Sequence, residues 1–208
     1  MAYPIAKRLL FQPIRLFLKE INGIENIPKK GSFVITANHE SYLDPFFIVS
    51  AVIPLLNKKI HFLAMKGRFW DLFGDRISRQ WAGCVCLDEG KEKAFRNLLS
   101  LLKNGEIAGI FIEGQRSLDG ELQKGKTGVV RLALEARVPI LPIGLIGTSE
   151  IARGNSIMPR LKRARMEIGK PIILDEHYNK KIDDKLLREL TDEVMHGISD
   201  LTGKPYRY

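Results

Sequence analysis

Apolar runs of strand length alternate with segments of helical periodicity along most of this chain. The apolar runs predict strands at 33–37, 60–64, 83–87, 107–112 and 139–146, and alternating polar and apolar residues predict one at 165–168. Apolar residues at helical spacing predict helices near 45–53, 90–103, 127–137 and 183–201. Because strands that alternate with helices build a layered sheet, the pattern predicts an α/β fold with a mostly parallel or mixed central sheet flanked by helices.

The composition fits one domain of this kind. The chain has 208 residues, of which 45% are hydrophobic and 27% are charged, so we predict a single domain over residues 1–208. Cys84 and Cys86 share one face of a predicted strand, where they fit a disulfide poorly. Free thiols and a reducing compartment are therefore expected, and two thiols are too few ligands for a metal site.

Residues 5–21 combine apolar side chains with four basic ones. At about 100° per residue, these basic residues fall on one side of a helix: Lys7, Arg8, Arg15 and Lys19. The pattern predicts an amphipathic helical segment, kinked or restarted at Pro13, that lies in the interface of an anionic membrane. The segment is too short and too charged to span a bilayer and too interrupted for a secretory signal. A helix packed on the domain itself is the alternative.

The net charge of +9 calls for an anionic partner. No aromatic RNA-binding signature or helix-turn-helix pattern is present, so nucleic acid is not expected. A second basic cluster suits lipid headgroups or substrate phosphates, or else guards a strand edge, and consists of Arg160, Lys162, Arg163 and Arg165. We expect a peripheral protein on the cytoplasmic face of the cell membrane, with residues 1–22 as the contacting segment.

Candidate chemistry begins where the first apolar run ends. His39 stands five positions ahead of Asp44, and Asp44-Pro45 predicts a helix start. A histidine takes a proton from an alcohol efficiently only if its tautomer is fixed and its charged form is stabilised, and a nearby aspartate does both. This spacing favours a general base with its orienting carboxylate. The alternatives are that Asp44 is only a helix N-cap, or that Ser41 and Asp44 form a capping box.

A second polar segment, residues 113–117, follows the apolar run that ends near Ile112. The carboxyl ends of parallel strands share one sheet edge, so this loop and His39 are expected to converge on one crevice. Glycine permits close backbone approach at Gly114, and Arg116 offers a planar fork that suits a phosphate. A surface turn with a salt bridge is the alternative.

Together, Asn-His-x-Ser-x-x-Asp-Pro and Glu-Gly-x-Arg-Ser resemble the glycerolipid acyltransferase family, specifically the 1-acylglycerol-3-phosphate acyltransferases. The first family motif is His-x-x-x-x-Asp, and the third resembles Phe-Pro-Glu-Gly-Thr-Arg-Ser, here Phe111 to Ser117 with Ile112 and Gln115 as departures. An apolar family block with a central proline fits residues 138–143. The resemblance covers most of the chain and implies a glycerol-3-phosphate acyltransferase-like fold.

The resemblance also implies an activity. The enzyme would move a fatty acyl group from acyl-CoA or acyl carrier protein to the free hydroxyl of lysophosphatidic acid, giving phosphatidic acid, with no cofactor beyond the thioester donor. His39 would act as the base and Asp44 as its support, with no covalent acyl-enzyme. Substrate contacts are expected from Lys66, Glu113, Gly114, Arg116 and Ser117, with Arg116 and Lys66 as the phosphate clamp and amides near Gly114 as oxyanion donors.

One family block departs from this pattern. Where relatives carry an arginine associated with the acceptor phosphate, the chain carries Glu89. A different lyso-lipid acceptor, such as a lyso-ornithine lipid or another lysophospholipid, is therefore a second hypothesis. A non-catalytic lipid-binding module is a third, favoured by the basic amphipathic N-terminus.

Residues 120–127 formally match the phosphate-loop pattern Gly-x-x-x-x-Gly-Lys-Thr. The context argues against nucleotide binding, because residues 117–119 intervene between the preceding strand and this segment. We instead expect Gly125 and Gly128 to shape a turn, Thr127 to cap a helix, and Lys124 or Lys126 to add positive potential.

Overall fold

The computed structural model describes residues 11–152 and 159–208, and this part of the chain forms one seven-stranded sheet. The strands are β1 (Leu18–Asn22), β2 (Val34–Ala37), β3 (Ile60–Ala64), β4 (Val85–Cys86), β5 (Ile107–Phe111), β6 (Ile140–Ile146) and β7 (Ala164–Ile168). Their order across the sheet is β1-β7-β6-β2-β5-β3-β4. Strands β2 to β6 run parallel, β7 is antiparallel to β6, and β1 is parallel to β7. The predicted mostly parallel α/β sheet is confirmed.

Helices follow most of the strands, as the alternating pattern predicted. They are α1 (Phe11–Arg15), α2 (Asp44–Leu56), α3 (Arg68–Arg76), α4 (Lys91–Lys103), α5 (Gly128–Ala136), α6 (Thr148–Ile151) and α7 (Asp184–Thr202). A π-helical turn spans Ile77–Trp81, and 3-10 turns span Ile24–Asn26, Leu87–Glu89 and Asp175–His177. The four helices predicted from apolar spacing are confirmed within a few residues, whereas α3 was not predicted.

Apolar side chains cover both faces of the sheet. The layer on one face includes Phe47 and Ile48 of α2, and the layer on the other includes Leu98 of α4 and Leu132 of α5. Successive side chains of a strand point to opposite faces, so Val34 of β2 packs in the second layer while the residue after it packs in the first. Burial on both faces explains why these strands are apolar runs and not alternating ones.

The N-terminal segment is only partly helical. Phe11–Arg15 is a helix, but the helix predicted through residue 21 is wrong, since Leu18–Asn22 forms β1 and pairs with β7. Strand β7 presents an open edge, and backbone hydrogen bonds to it outweigh the helical periodicity of residues 18–21. Helix α1 packs against α2 and buries Phe11, which fits the alternative of packing on the domain. Residues 1–10 of the predicted membrane-contacting segment lie outside the described residues.

Two further predictions concern the membrane and the cysteines. Between residues 11 and 152 and from 159 onward, no helix has the length and apolar character needed to cross a bilayer. Cys84 and Cys86 are both free, as predicted, and burial raises the pKa of Cys84 to about 11. The strand predicted at 83–87 is shorter than expected, because the chain turns into the 3-10 turn Leu87–Glu89.

Candidate active site

The carboxyl ends of β2, β5 and β3 lie at the same edge of the sheet. β2 pairs in parallel with β5, and β5 pairs in parallel with β3. His39 follows β2, the segment 113–117 follows β5, and Lys66 follows β3. The predicted convergence of these loops on one edge is therefore confirmed.

The imidazole of His39 is hydrogen-bonded to the carboxylate of Asp44. His39 Nδ1 lies 2.8 Å from Asp44 Oδ2. A carboxylate only accepts hydrogen bonds, so Nδ1 carries the proton and the Nε2 lone pair is the basic site of the ring. The ring stacks on Phe111, with centroids 3.8 Å apart and planes 12° from parallel. The pair thus has a fixed tautomer and a fixed ring plane.

Asp44 is held by the loop that it supports. Its Oδ2 also accepts hydrogen bonds from the backbone N–H groups of Glu40, at 2.7 Å, and Ser41, at 2.8 Å, and the residue is fully buried. The N-cap residue of α2 is Leu43 and Asp44 is the first helical residue, so the interpretation of Asp44 as an N-cap is wrong. The carboxylate reaches back over the turn to the histidine because three donors converge on one of its oxygens.

Glu113 braces the His39 loop. Its Oε1 accepts from the backbone N–H of His39 at 2.9 Å, and its Oε2 accepts from that of Gln123 at 2.8 Å. The residue is 1% exposed, and burial raises its pKa to about 7. Both carboxylate oxygens bind backbone amides inside the protein, and substrate contact by Glu113 stays a prediction.

Gly114 and Ser117 shape the loop after β5. Gly114 has a φ of 72°, and its N–H donates to the carbonyl of Phe111 at 3.0 Å, so this amide is not the expected oxyanion donor. The N–H of Ser117 donates to the carbonyl of His39 at 2.7 Å, and its hydroxyl donates to Asp119 at 2.8 Å. Ser117 is buried and joins the two loops, and its contact with substrate stays a prediction.

Three cationic side chains surround this edge. The guanidinium of Arg116 lies over the ring of Tyr42, with Cζ 3.7 Å from the ring centroid, so it stands beside the His39 loop. Lys66 is exposed and follows β3. β3 is two strands from β2, so the two strands are about 10 Å apart across the sheet. The side chain of Lys126 packs over Gly114, since a Cβ atom added at Gly114 would lie 3.2 Å from Lys126 Cγ. The predicted Arg116 and Lys66 thus share the edge, and Lys126 joins them.

Glu89, which replaces the expected arginine, is bound by other cations. Its carboxylate pairs with Arg79 and, at 3.0 Å, with Lys93. It follows β4, three strands from β2, and so lies about 14 Å across the sheet from the histidine strand. The acid is therefore part of a surface ion-pair cluster at the far end of this edge.

A network around Glu40 was missed at the sequence level. Its carboxylate, 3% exposed, forms an ion pair with Lys204 from beyond the C-terminus of α7. Lys204 Nζ also donates to the carbonyl of Gly120 at 2.6 Å, and Glu40 accepts from Asn38 at 2.9 Å and from Ser149 at 3.3 Å. These contacts tie the His39 loop to α7, to α6 and to the loop after β5. Lys204 lies 164 residues from its partner, so no local motif signals it.

A cavity of about 250 Å³ opens beside this network. It is lined in part by Glu40, Ser149, Arg160 and Lys162. The second basic cluster of the sequence therefore contributes two cations to a cavity next to the His39 loop, and its members Arg160, Lys162, Arg163 and Arg165 are all exposed.

The remaining motifs lie apart from this chemistry. His61 contacts the carbonyl of Gly83, and His196 packs edge-on against Tyr206. In the phosphate-loop match, the N–H of Lys126 donates to the carbonyl of Ile112 at 2.7 Å, so the segment returns to the end of β5 instead of leaving a strand. Thr127 occupies the N-cap position of α5 without a side-chain capping bond, which corrects its predicted role.

Known proteins share this sequence and fold. A 1-acyl-sn-glycerol-3-phosphate acyltransferase of Bacillus subtilis is 28% identical, with 86% of each chain covered. The chloroplastic 1-acyl-sn-glycerol-3-phosphate acyltransferase BAT2 of Brassica napus is 30% identical over 87% of this chain and 50% of its own length. The chain spans about half the length of several relatives of this kind.

Similarity extends to a solved structure and to a family model. The crystal structure of the 1-acyl-sn-glycerophosphate (LPA) acyltransferase PlsC from Thermotoga maritima matches with a TM-score of 0.70 and 25% identity, covering 97% of this chain and 83% of that one. The Acyltransferase family model matches residues 19–146, which include β2 to β6, all of β1 except its first residue, and the His39, Asp44 and Arg116 positions. The chain belongs to the Acyltransferase family.

Proposed function

We propose that this protein transfers a fatty acyl group from a thioester to the free hydroxyl of lysophosphatidic acid, giving phosphatidic acid. The observation that carries the proposal is the 2.8 Å contact between His39 Nδ1 and a buried Asp44 carboxylate, at a sheet edge that also holds Arg116 and Lys66. The family, and relatives named as acyltransferases of 1-acyl-sn-glycerol-3-phosphate, support the same reaction.

The chemistry follows from the state of the imidazole. His39 Nε2 takes the proton of the acceptor hydroxyl as its oxygen attacks the thioester carbonyl, and the negative charge of Asp44 stabilises the imidazolium that forms. The tetrahedral intermediate then collapses, the carbon–sulfur bond breaks, and the departing thiolate takes the proton from the imidazolium. An ester and a free thiol result, and no covalent acyl-enzyme is required.

The phosphate of the acceptor is proposed to bind to the cations of this edge. Arg116 presents a planar fork, and its cation–π contact with Tyr42 holds that fork beside the His39 loop. Lys66 and Lys126 add positive charge from the neighbouring strand and loop. A phosphate held here leaves the glycerol hydroxyl free to reach Nε2, so one substrate can engage both groups.

The donor is proposed to be acyl-CoA or acyl-acyl carrier protein. Two cations that line the cavity beside Glu40, Arg160 and Lys162, are available to a phosphate of the donor, and the carboxylates of Asp119 and Glu150 line the same cavity. Coenzyme A carries free phosphate groups, and acyl carrier protein carries a phosphopantetheine group on an acidic protein. Both donors therefore carry a phosphate that Arg160 and Lys162 can bind.

The proposal is tested by incubating the purified full-length protein with labelled acyl-CoA or labelled acyl-acyl carrier protein and one acceptor at a time. We expect labelled phosphatidic acid from lysophosphatidic acid, with one donor preferred. Binding of lysophosphatidic acid without turnover of any donor would instead indicate a non-catalytic lipid-binding module. A stoichiometric acyl-protein after mixing with donor alone would contradict direct transfer.

A second candidate is acyl transfer to another lyso-lipid. The observation that favours it is Glu89, whose carboxylate and paired cations occupy the position where relatives carry arginine. The same assay separates the two candidates if it includes a lyso-ornithine lipid and lysophospholipids with larger headgroups. Faster turnover of one of these than of lysophosphatidic acid would establish the second candidate.

A further inference from the structure

The connection between β3 and β4 exposes an unusual amount of apolar surface. Five large apolar side chains between residues 65 and 81 are exposed: Met65 (62%), Leu72 (64%), Phe73 (44%), Ile77 (41%) and Trp81 (44%). They lie on α3, on the π-helical turn that follows it, and on the residue after the end of β3. We call this set the crossover surface.

A helix that connects two parallel strands normally buries its apolar face on the sheet. Helix α3 packs mainly against the π-helical turn, and Gly74, with a φ of 73°, interrupts it. None of the described side chains of residues 65–81 belongs to either apolar layer of the core. Trp70 is buried at 7% exposure, whereas the five large apolar side chains named above are directed outward.

The crossover surface adjoins the active-site edge. It begins at Met65, directly before Lys66, where β3 reaches the edge that holds His39. The connections from β2 to β3 and from β3 to β4 move in the same direction across the sheet, so right-handed crossovers place α3 on the same face as α2. Helix α1, with Leu16 74% exposed after it, also packs on that face. Leu16 and the crossover surface thus lie on the same face of the sheet.

The charges of the segment identify the partner. Residues 65–81 contain four basic and two acidic side chains, and the whole chain carries a net charge of +9. Apolar and aromatic side chains flanked by cations suit the interface of an anionic bilayer. We propose that the crossover surface seats the protein on an anionic membrane, with Leu72 and Ile77 in the acyl boundary and the His39 edge turned toward the lipid. The proposed function supplies the reason for this orientation, but the seating itself does not depend on catalysis.

The two tryptophans of the chain provide a direct readout. Trp70 and Trp81 both lie in this segment, so all tryptophan emission reports on it. The full-length protein is mixed with equimolar phosphatidylglycerol and phosphatidylcholine vesicles whose acyl chains carry bromine. We expect a blue shift and quenching with these vesicles, and a weaker effect with phosphatidylcholine alone. Sedimentation with bound vesicles but no quenching would show that another surface binds, which contradicts the proposal.

Matched variants locate the surface. Leu72→Ser combined with Ile77→Ser should lower the vesicle partition coefficient by about 10-fold or more. The variant loses the favourable free energy of moving two partly exposed apolar side chains from water into the bilayer. The control Leu55→Ser removes a side chain that is 52% exposed at the other end of α2, and it should bind as wild type does. A second control, Leu161→Ser, removes a fully exposed leucine from the second basic cluster. Loss of binding in either control with retention in the double variant would overturn the proposal.

Folding and self-association are controlled in the same experiment. The double variant should stay folded with a melting temperature a few degrees below that of the wild type, since Ile77 is 41% exposed and buries part of its side chain. If the wild type is a dimer that the double variant dissociates while vesicle binding is unchanged, the surface binds a second copy, and the membrane proposal fails. Acyl transfer is measured separately, so absence of turnover with intact quenching would refute the proposed function alone.

Discussion

Replacing Lys204 by methionine isolates the ion pair that holds the His39 loop from a distance. Methionine keeps the length of the aliphatic chain and removes the charge. Glu40, whose side chain is 3% exposed, then loses its cationic partner, and the carbonyl of Gly120 loses a donor at 2.6 Å. The negative charge of Asp44 nearby also raises the pKa of Glu40, so the ionised form of Glu40 is further destabilised once Lys204 is removed.

The expected magnitude follows from burial. Removing one partner of a buried ion pair costs about 3–5 kcal/mol, and Lys204 is 24% exposed, so we expect the lower end, about 3 kcal/mol of unfolding free energy near neutral pH. Burial raises the pKa of Glu40 and Lys204 opposes that rise, so the variant raises it further. Because protonation relieves the buried charge, the stability of the variant falls as pH rises through this pKa, and its deficit is smaller under acidic conditions.

The assay is urea unfolding of wild type, Lys204→Met, Glu40→Gln and the double variant, at about pH 5 and about pH 8. The double-mutant cycle should give a coupling energy above about 1 kcal/mol at the higher pH. The variant's kcat should fall more than its KM rises, because the loop that carries His39 loses an anchor. A deficit below about 0.5 kcal/mol, or one that is the same at both pH values, would refute the reasoning.

Three further substitutions test single contacts of the site. The amide oxygen of Asp44→Asn can take the position where Oδ2 accepts three hydrogen bonds, so the variant should keep the tautomer of His39 but lose the negative charge. We expect kcat to fall about 100-fold with an unchanged KM for the acceptor. A kcat equal to that of the wild type would contradict this role of Asp44. Burial raises the pKa of Glu113 to about 7, so between about pH 4.5 and 7 the folded protein binds a proton that the unfolded chain releases, and stability falls as pH rises. Relative to Glu113→Gln, wild type should therefore lose about 3 kcal/mol between pH 5 and pH 8 in urea unfolding, and a gain would show the opposite linkage. Arg116→Ala should raise the KM for the acceptor far more than that for the donor, whereas equal increases would exclude an acceptor-phosphate role.

The fold was predictable wherever hydrophobic burial alone decides the structure. Strands β2, β5 and β6 are buried on both faces, so their sequences are apolar runs with clear ends. β1 was mistaken for helix because its pairing with β7 is set by residues more than a hundred positions away, and helix α3 escaped prediction because its apolar face is not buried in the core. Local periodicity carries no information about either.

The site was predictable where a role follows from side-chain chemistry in one short segment. The contact of His39 with Asp44 spans five positions, so its spacing was informative. The roles of Glu113 and Ser117 were not predictable, because whether a polar side chain faces substrate or a neighbouring backbone amide depends on the packing of two loops. Lys204 reaches Glu40 only after the whole domain has folded, so it leaves no pattern in the sequence.

The most direct test of the account is the rate of phosphatidic acid formation by His39→Ala with lysophosphatidic acid and the preferred thioester. The contacts of His39 to Glu113 and Ser117 are made by its backbone, so the variant should fold and bind vesicles as wild type does. Its turnover should fall by about 10² to 10⁴, the usual contribution of a positioned base. Turnover within a few-fold of wild type, in a folded variant, would contradict the role of His39 as the base.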